Sequence, residues 1–124
     1  MTDGTKRRVT VLIVEDDART ARTLAKMLGE DGFEVELAFD GAGAIARLGR
    51  GGIPDVLVVD YRLPHVDGLA VAAYARSLRP DLRVIVLTSY PEVVAQAKST
   101  LNPPAAIFTK PLTYADLTAE LSRV

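Results

Sequence analysis

The sequence predicts an α/β domain, a parallel β-sheet covered by helices on both faces. Three observations carry that expectation. Strand-like apolar runs and stretches of helical periodicity alternate five times along the chain. Residues 56–59 (Val-Leu-Val-Val) form an unbroken apolar run that ends on Asp60, the pattern of a strand buried on both faces. With 124 residues, 48% of them hydrophobic, the chain suits one core.

Taken in order, residues 1–7 read as a flexible tail, and Lys6, Arg7 and Arg8 as a solvated start to the first strand. Residues 9–14 are a β-branched run and read as a buried strand, followed by Glu15, Asp16 and Asp17. Ala21, Leu24, Ala25 and Leu28 recur at helical spacing, and Gly32 stops that helix. Residues 33–37 alternate apolar and acidic, as a half-exposed or edge strand does. Asp40 is placed to cap a short helix carrying Ile45 and Leu48, which Gly51-Gly52 ends.

After the central strand, Asp67-Gly68 opens a helix with Val71, Tyr74, Ala75 and Leu78 on one stripe, broken by Pro80-Asp81. Residues 83–88 are another buried strand, ending on the hydroxyl of Thr88. Ser89-Tyr90-Pro91 suits a helix start with proline in its first turn. That helix runs through Val93, Val94 and Ala97 and stops before Asn102-Pro103-Pro104. Residues 105–109 are a short final strand that delivers Lys110 before Pro111. Thr113 and Asp116 have capping-box spacing, and Leu117, Leu121 and Val124 give the last helix its apolar side.

The totals exclude several classes of function. A formal net charge of −1 calls for neither nucleic acid nor an anionic membrane, so no direct nucleic-acid or membrane partner is expected. The absence of cysteine excludes disulfides and thiolate metal sites. The start of the chain lacks an apolar signal region, and no apolar run nears the roughly 20 residues a bilayer span needs. A cytoplasmic protein, monomeric or weakly dimeric, is the expectation.

In a parallel sheet every strand end points the same way, so Glu15, Asp16, Asp60, Thr88 and Lys110 should meet at one edge. Clustered carboxylates repel, by about 3 kcal/mol per pair at 5 Å and an effective dielectric near 20. They therefore attract a cation or hold one proton tightly. An oxygen-only donor set fits Mg²⁺ or Mn²⁺. A hydroxyl and an ammonium are what an incoming phosphoryl group needs, and carboxylates are known phosphoryl acceptors. The residues themselves thus point to phosphate chemistry on an acid.

These motifs carry a family resemblance. Val11-Leu12-Ile13-Val14-Glu15-Asp16-Asp17, Asp60 with Leu63-Pro64 and Asp67-Gly68, Leu87-Thr88-Ser89, and Thr109-Lys110-Pro111-Leu112 together resemble the receiver domain of bacterial two-component response regulators. The resemblance runs from about residue 9 to residue 124 and implies a single flavodoxin-like (βα)5 unit with strand order 2-1-3-4-5. It implies that Asp60 is the phosphoacceptor, that Asp16 and Asp60 ligate Mg²⁺ with help from Glu15, and that the backbone carbonyl of Arg62 is a further ligand. It implies that Thr88 and Lys110 contact the phosphoryl group and that the Lys110–Pro111 peptide is cis. The donor would be a sensor histidine kinase or a histidine phosphotransfer protein. A downstream protein would read the face made by the fourth helix, fifth strand and fifth helix. Such a protein assists its own phosphorylation and dephosphorylation and is otherwise no enzyme.

The sequence also departs from that family. Ile107 stands where many receivers carry Tyr or Phe, and Phe108, one residue on, should face the other side of the sheet. Asn102-Pro103-Pro104-Ala105 replaces a common Gly-Ala. Arg62 and Tyr90 should flank the phosphate and tune its lifetime. His65, the one histidine, reads as an exposed loop residue, and Tyr74 as packing. Three alternatives compete. A haloacid-dehalogenase-like Mg²⁺-dependent phosphohydrolase would carry a second acid where Arg62 stands. A flavin-binding module would want a Ser/Thr/Gly-rich loop where Glu15-Asp16-Asp17 stands. A receiver-like scaffold acting without phosphate would not need the full acid, hydroxyl and lysine set.

Overall fold

The computed structural model describes residues 8–123. The tail at 1–7 and Val124 lie outside the described residues. Five strands alternate with five helices: β1 (Thr10–Val14), α1 (Ala18–Glu30), β2 (Glu34–Ala38), α2 (Gly41–Gly49), β3 (Val56–Asp60), α3 (Gly68–Leu78), β4 (Arg83–Thr88), α4 (Val94–Thr100), β5 (Ala106–Thr109) and α5 (Tyr114–Leu121). All strand pairs are parallel and the order is β2-β1-β3-β4-β5, as the resemblance implied.

Apolar patterning decides which strand goes where. Every residue of β3 is buried, which suits its place at the centre of the sheet. In β2 the acids Glu34 and Glu36 are exposed and Val35 and Leu37 half-buried, which suits an edge. Alternate residues of β1, β3 and β4 feed two cores. Leu12, Leu57, Val59 and Val86 pack with Leu48 of α2, Val71 and Ala75 of α3, and Ala97 of α4. Ile13, Val58 and Ile85 pack on the other face with Leu28 of α1 and Leu117 and Leu121 of α5.

The caps follow the sequence. Asp17 accepts from the amides of Arg19 and Thr20, Asp40 from Gly43, Asp67 from Ala70, and Thr113 from Asp116. Gly32, Gly51 and Gly52 sit at positive φ after α1 and α2, where a side chain would be strained.

Three readings need correction. Leu78 does not join the buried stripe of α3 but is 43% exposed, because the helix ends there and turns its last residue outward. The segment after Tyr90 begins as a 3₁₀ turn, Pro91–Val93, so α4 starts at Val94, and no side chain caps that turn. The Pro91 ring, which carries no amide hydrogen, occupies the first position of the turn. Val9, Phe33 and Ala105 flank their strands instead of belonging to them. The Asn102–Pro103 peptide is cis, in addition to Lys110–Pro111.

At the amino-terminal edge of the sheet, Asp55 is buried just before β3. Its carboxylate accepts from the amide and the hydroxyl of Thr10, and its own amide donates back to the Thr10 hydroxyl and carbonyl. Arg79 lies 3.4 Å from the same carboxylate. These reciprocal bonds join the starts of β1 and β3.

Candidate functional site

At the carboxyl edge the strand ends converge as expected. Asp60 is the last residue of β3 and Glu15 follows β1; both are buried, and Asp16 next to Glu15 is exposed. One carboxylate oxygen from each of Glu15, Asp16 and Asp60 lies within 4.8 Å of the others. Lys110, just past β5, places its ammonium 3.2 Å from Asp60 and 3.3 Å from Glu15. Its backbone amide donates to the Thr88 carbonyl at 2.8 Å, which ties the lysine to the end of β4.

Charge arithmetic describes what this cluster wants. Three carboxylates and one ammonium leave a formal −2 when all are ionised. Burial pushes the Glu15 carboxyl above its usual range, and the Asp60 charge adds to that push against the opposing pull of the Asp17 amide and Lys110. Burial pulls the Lys110 ammonium down, but the charges of Asp60 and Glu15 outweigh it and hold the group above its ordinary value. At an effective dielectric near 20, the repulsion of Glu15 and Asp60 is about 3 kcal/mol, and each contact to Lys110 offsets about 5 kcal/mol. The lysine therefore offsets the repulsion within the buried pair but leaves it one negative charge, and the exposed Asp16 adds another. Such an oxygen-only set fits a hard divalent cation, which Glu15, Asp16 and Asp60 are grouped to hold.

Asp17 has a different role. Its carboxylate accepts from the Thr20 hydroxyl and the amides of Thr20 and Arg19, and these bonds hold its carboxyl below the usual range. It caps α1 while its neighbours face the site.

Thr88 is 1% exposed at the end of β4. Its hydroxyl oxygen accepts from the Tyr90 amide at 2.9 Å, which leaves the hydroxyl proton free to be donated elsewhere. Tyr90 in turn carries the Arg62 guanidinium 4.6 Å from its ring centroid, a cation–π stack joining the loops after β3 and β4. The sequence placed Arg62 and Tyr90 beside the site but did not foresee this mutual contact.

A cavity of about 880 Å³ opens over the cluster. Glu15, Asp16, Asp60 and Lys110 form its polar floor, and Leu24, Pro111 and Leu112 extend it along α1 as an apolar wall. Ser89, with no role at the site legible in the sequence, lines it too. The loop after Asp60 reaches α3 through one tight contact. The Gly68 amide donates to the Tyr61 carbonyl at 2.7 Å, and a Cβ on Gly68 would lie 2.2 Å from the Asp60 carbonyl oxygen. Only glycine fits there.

The remaining predicted residues fall as read. His65 is exposed, at a φ of 70°, and Tyr74 packs half-buried on the α2–α3 side. Ile107 packs on the α2–α3–α4 side and Phe108 on the α1–α5 side, so the one-residue shift does send the aromatic to the opposite face. No helix among the described residues is long and apolar enough to cross a membrane.

Comparison with known proteins agrees with this geometry. The family model described as the response regulator receiver domain matches residues 11–122. Response regulator MprA of Mycobacterium bovis is 40% identical over 81 residues, covering 65% of this chain and 35% of that protein. The Mycobacterium leprae protein of the same name is 40% identical over 79 residues, 64% of this chain and 34% of its own length. The chain thus spans about a third of the curated relatives it matches. A response regulator receiver protein from Sinorhizobium medicae superposes with a TM-score of 0.85 at 30% identity, covering 94% of each chain. Chemotaxis response regulator CheY4 of Vibrio cholerae does so at 0.83 and 26% identity, covering 94% of this chain and 98% of its own. Because the receiver-domain model matches residues 11–122, nearly the whole chain, this chain belongs to the response regulator receiver domain family.

Proposed function

We propose that this chain is a phosphoacceptor switch in which Asp60 takes a phosphoryl group from a phosphohistidine donor in a Mg²⁺-dependent step. The observation that carries the proposal is the grouping of Glu15, Asp16 and Asp60 within 4.8 Å, with Lys110 against two of the three. Asp60 is the nucleophile. One of its carboxylate oxygens forms a bond to phosphorus as the phosphorus–nitrogen bond of the donor breaks, and the electron pair returns to the imidazole. Lys110 exchanges its contact with Asp60 for one with the phosphoryl oxygens. The Thr88 proton, unspent on Tyr90, is donated to another of those oxygens. Glu15, Asp16, Asp60 and the Arg62 carbonyl are the proposed holders of Mg²⁺ (Mn²⁺ having the same donor preference); when bound, the ion supplies charge neutralisation for the transferring group.

In this reading the stack of Arg62 on Tyr90, two residues beyond Asp60 and Thr88 in the chain, sets the lifetime of the acyl phosphate by restricting attacking water. The donor is a sensor histidine kinase or a histidine phosphotransfer protein. The readout is a protein bound at the α4–β5–α5 face, with residues 1–124 acting as one receiver unit.

The test is direct. Incubation with a small acyl-phosphate donor and Mg²⁺ should add one phosphoryl group by intact-mass spectrometry, and omission of Mg²⁺ or Asp60→Asn should abolish it. Undiminished labelling of Asp60→Asn would overturn the assignment. Arg62→Ala and Tyr90→Ala should each change the rate of phosphate loss; unchanged rates in both would remove the stack from the mechanism.

A further inference from the structure

The site poses a question of transmission. Ile107 gives the α4–β5 region no large ring to move on the inner side of β5, and Phe108 packs on the opposite face. Meanwhile α4 is lightly held. It is seven residues long, Ala97 is its one buried side chain, and Leu101 is the next anchor along the chain. Ala95, Gln96, Lys98, Ser99 and Thr100 are exposed. An element with so little buried surface takes its position from whatever fixes its ends.

One polar tie fixes the far end. Arg76, in the last turn of α3, donates through Nη1 to the Pro103 carbonyl at 2.7 Å and through Nε to the Leu82 carbonyl at 2.7 Å. Pro103 lies in the connection from α4 to β5, and Leu82 in the connection from α3 to β4. The guanidinium thus joins three segments, a task its rigid fork performs and a lysine ammonium does not. The near end of the same helix is Gly68, whose backbone is pressed against the carbonyl of Asp60. Between the two ends, Val71, Ala72 and Ala75 are fully buried against the sheet. Eight residue steps of helix lead from Gly68 to Arg76, about 12 Å of rise.

We propose that Arg76 is a positioning residue for the partner face: through α3 it couples the backbone at Asp60 to the α4–β5 connection. This rests on the phosphoacceptor reading given above. A shift of the Asp60–Tyr61 backbone meets Gly68 with no free space, so α3 must follow it. Arg76 then carries the shift to Pro103, and α4, anchored mainly at Ala97 and Leu101, reorients. The route needs no aromatic side chain in β5.

The test compares wild type, Arg76→Lys and Arg76→Met by intact-mass labelling and by amide hydrogen exchange, before and after labelling with the acyl-phosphate donor and Mg²⁺. In the unlabelled state, Arg76→Met should exchange roughly tenfold faster at the Leu101, Asn102 and Ala105 amides, those that the 101–105 segment carries, the effect of losing one charge-assisted hydrogen bond, with β1 and β3 unchanged. Labelling should proceed at the wild-type rate in both variants. In wild type it should change exchange across residues 94–105; in Arg76→Met that change should vanish, and in Arg76→Lys it should shrink. A full labelling-dependent change in Arg76→Met overturns the proposal. If exchange in Arg76→Met rises throughout the sheet, Arg76→Lys decides, and a wild-type change there overturns the proposal. Failure of wild type to label would instead overturn the phosphoacceptor reading. The tie would then be judged in the unlabelled state, where equal exchange at 101–105 in wild type and Arg76→Met rejects it.

Discussion

Substituting Gly68 by alanine probes the contact between α3 and the loop after Asp60 with a single methyl group. The added Cβ would stand 2.2 Å from the Asp60 carbonyl oxygen, 2.9 Å from its carbon and 3.0 Å from the Tyr61 Cα. Relief requires a movement of about 1 Å, because close carbon–oxygen contacts lie beyond roughly 3 Å. The obstruction is backbone, and it is held in place. The Tyr61 amide donates to the Leu87 carbonyl at 2.7 Å, and the Tyr61 carbonyl accepts from Gly68. Overpacking of this kind costs about 1–3 kcal/mol, and a rigid neighbour places it at the upper end. Alanine's better helix propensity returns at most about 1 kcal/mol, less at the first helical position. The net expectation is a loss of about 2 kcal/mol, which lowers the urea midpoint by about 1 M.

Gly29→Ala supplies the control. It lies in the last turn of α1 with nothing within 4 Å of the place its methyl group would take, so alanine should stabilise by about 0.5 kcal/mol. Function should separate the two further. Displacing the backbone that carries the Asp60 carboxylate by about 1 Å should slow labelling by up to about 100-fold, whereas Gly29→Ala should label as wild type does. A Gly68→Ala protein within about 0.5 kcal/mol of wild type and labelling within threefold of it would refute the claim that this contact sets the site.

Three other outcomes follow from the same geometry. Lys110→Met removes the ammonium that, among the described residues, contacts both Asp60 and Glu15 and repels a divalent ion held there; even fully screened, at about 5 Å in water, that repulsion is about 1.5 kcal/mol, so Mg²⁺ should bind at least roughly tenfold tighter by titration while labelling slows, and weaker binding would contradict the charge argument. Partial burial, with the hydrogen bond to Asp31 and the charges of Asp31 and Glu30, pushes the Tyr114 hydroxyl up to about 12 from an ordinary 10, so its contribution to stability is complete below pH 10 and is lost as pH rises through 12. Ultraviolet titration should show one late phenolate step that Tyr114→Phe deletes, and a late step that persists in the variant would move the assignment elsewhere. Asp40→Ala removes the 2.6 Å cap of α2 and should cost about 1 kcal/mol in urea unfolding, with Asp40→Asn recovering most of it.

The convergence of Glu15, Asp60, Thr88 and Lys110 was legible because the first three directly follow apolar runs and Lys110 follows the short strand ending on Thr109, and parallel strands align such ends. Phe108 was legible as misplaced because a strand has a period of two. What escaped the sequence depends on contacts between distant loops. The stack of Arg62 on Tyr90 joins two connections, and nothing in either segment specifies the other. Asp55 follows Pro54 and reads locally as a turn acid, yet it is buried because Thr10 and Arg79 receive it. Arg76 looks like any helical surface charge until the Pro103 carbonyl arrives beside it. Leu78 fits the stripe by spacing and fails by position, since a helix end lacks the sheet beneath it.

The Asp55–Thr10 bonds have a consequence for the proposed metal site at the other end of the sheet. Asp60 lies five residues beyond Asp55, and Glu15 five residues beyond Thr10, about 16 Å along each strand. Sliding β3 past β1 by one residue would carry the Asp60 carboxylate about 3.3 Å from Glu15 and turn it to the opposite side of the sheet. The pairing of those two acids is therefore gauged from the far edge. On the proposed function, the open edge inherits its tolerance from a carboxylate at the far edge of the sheet, and damage at Asp55 should register first as poor affinity for added Mg²⁺.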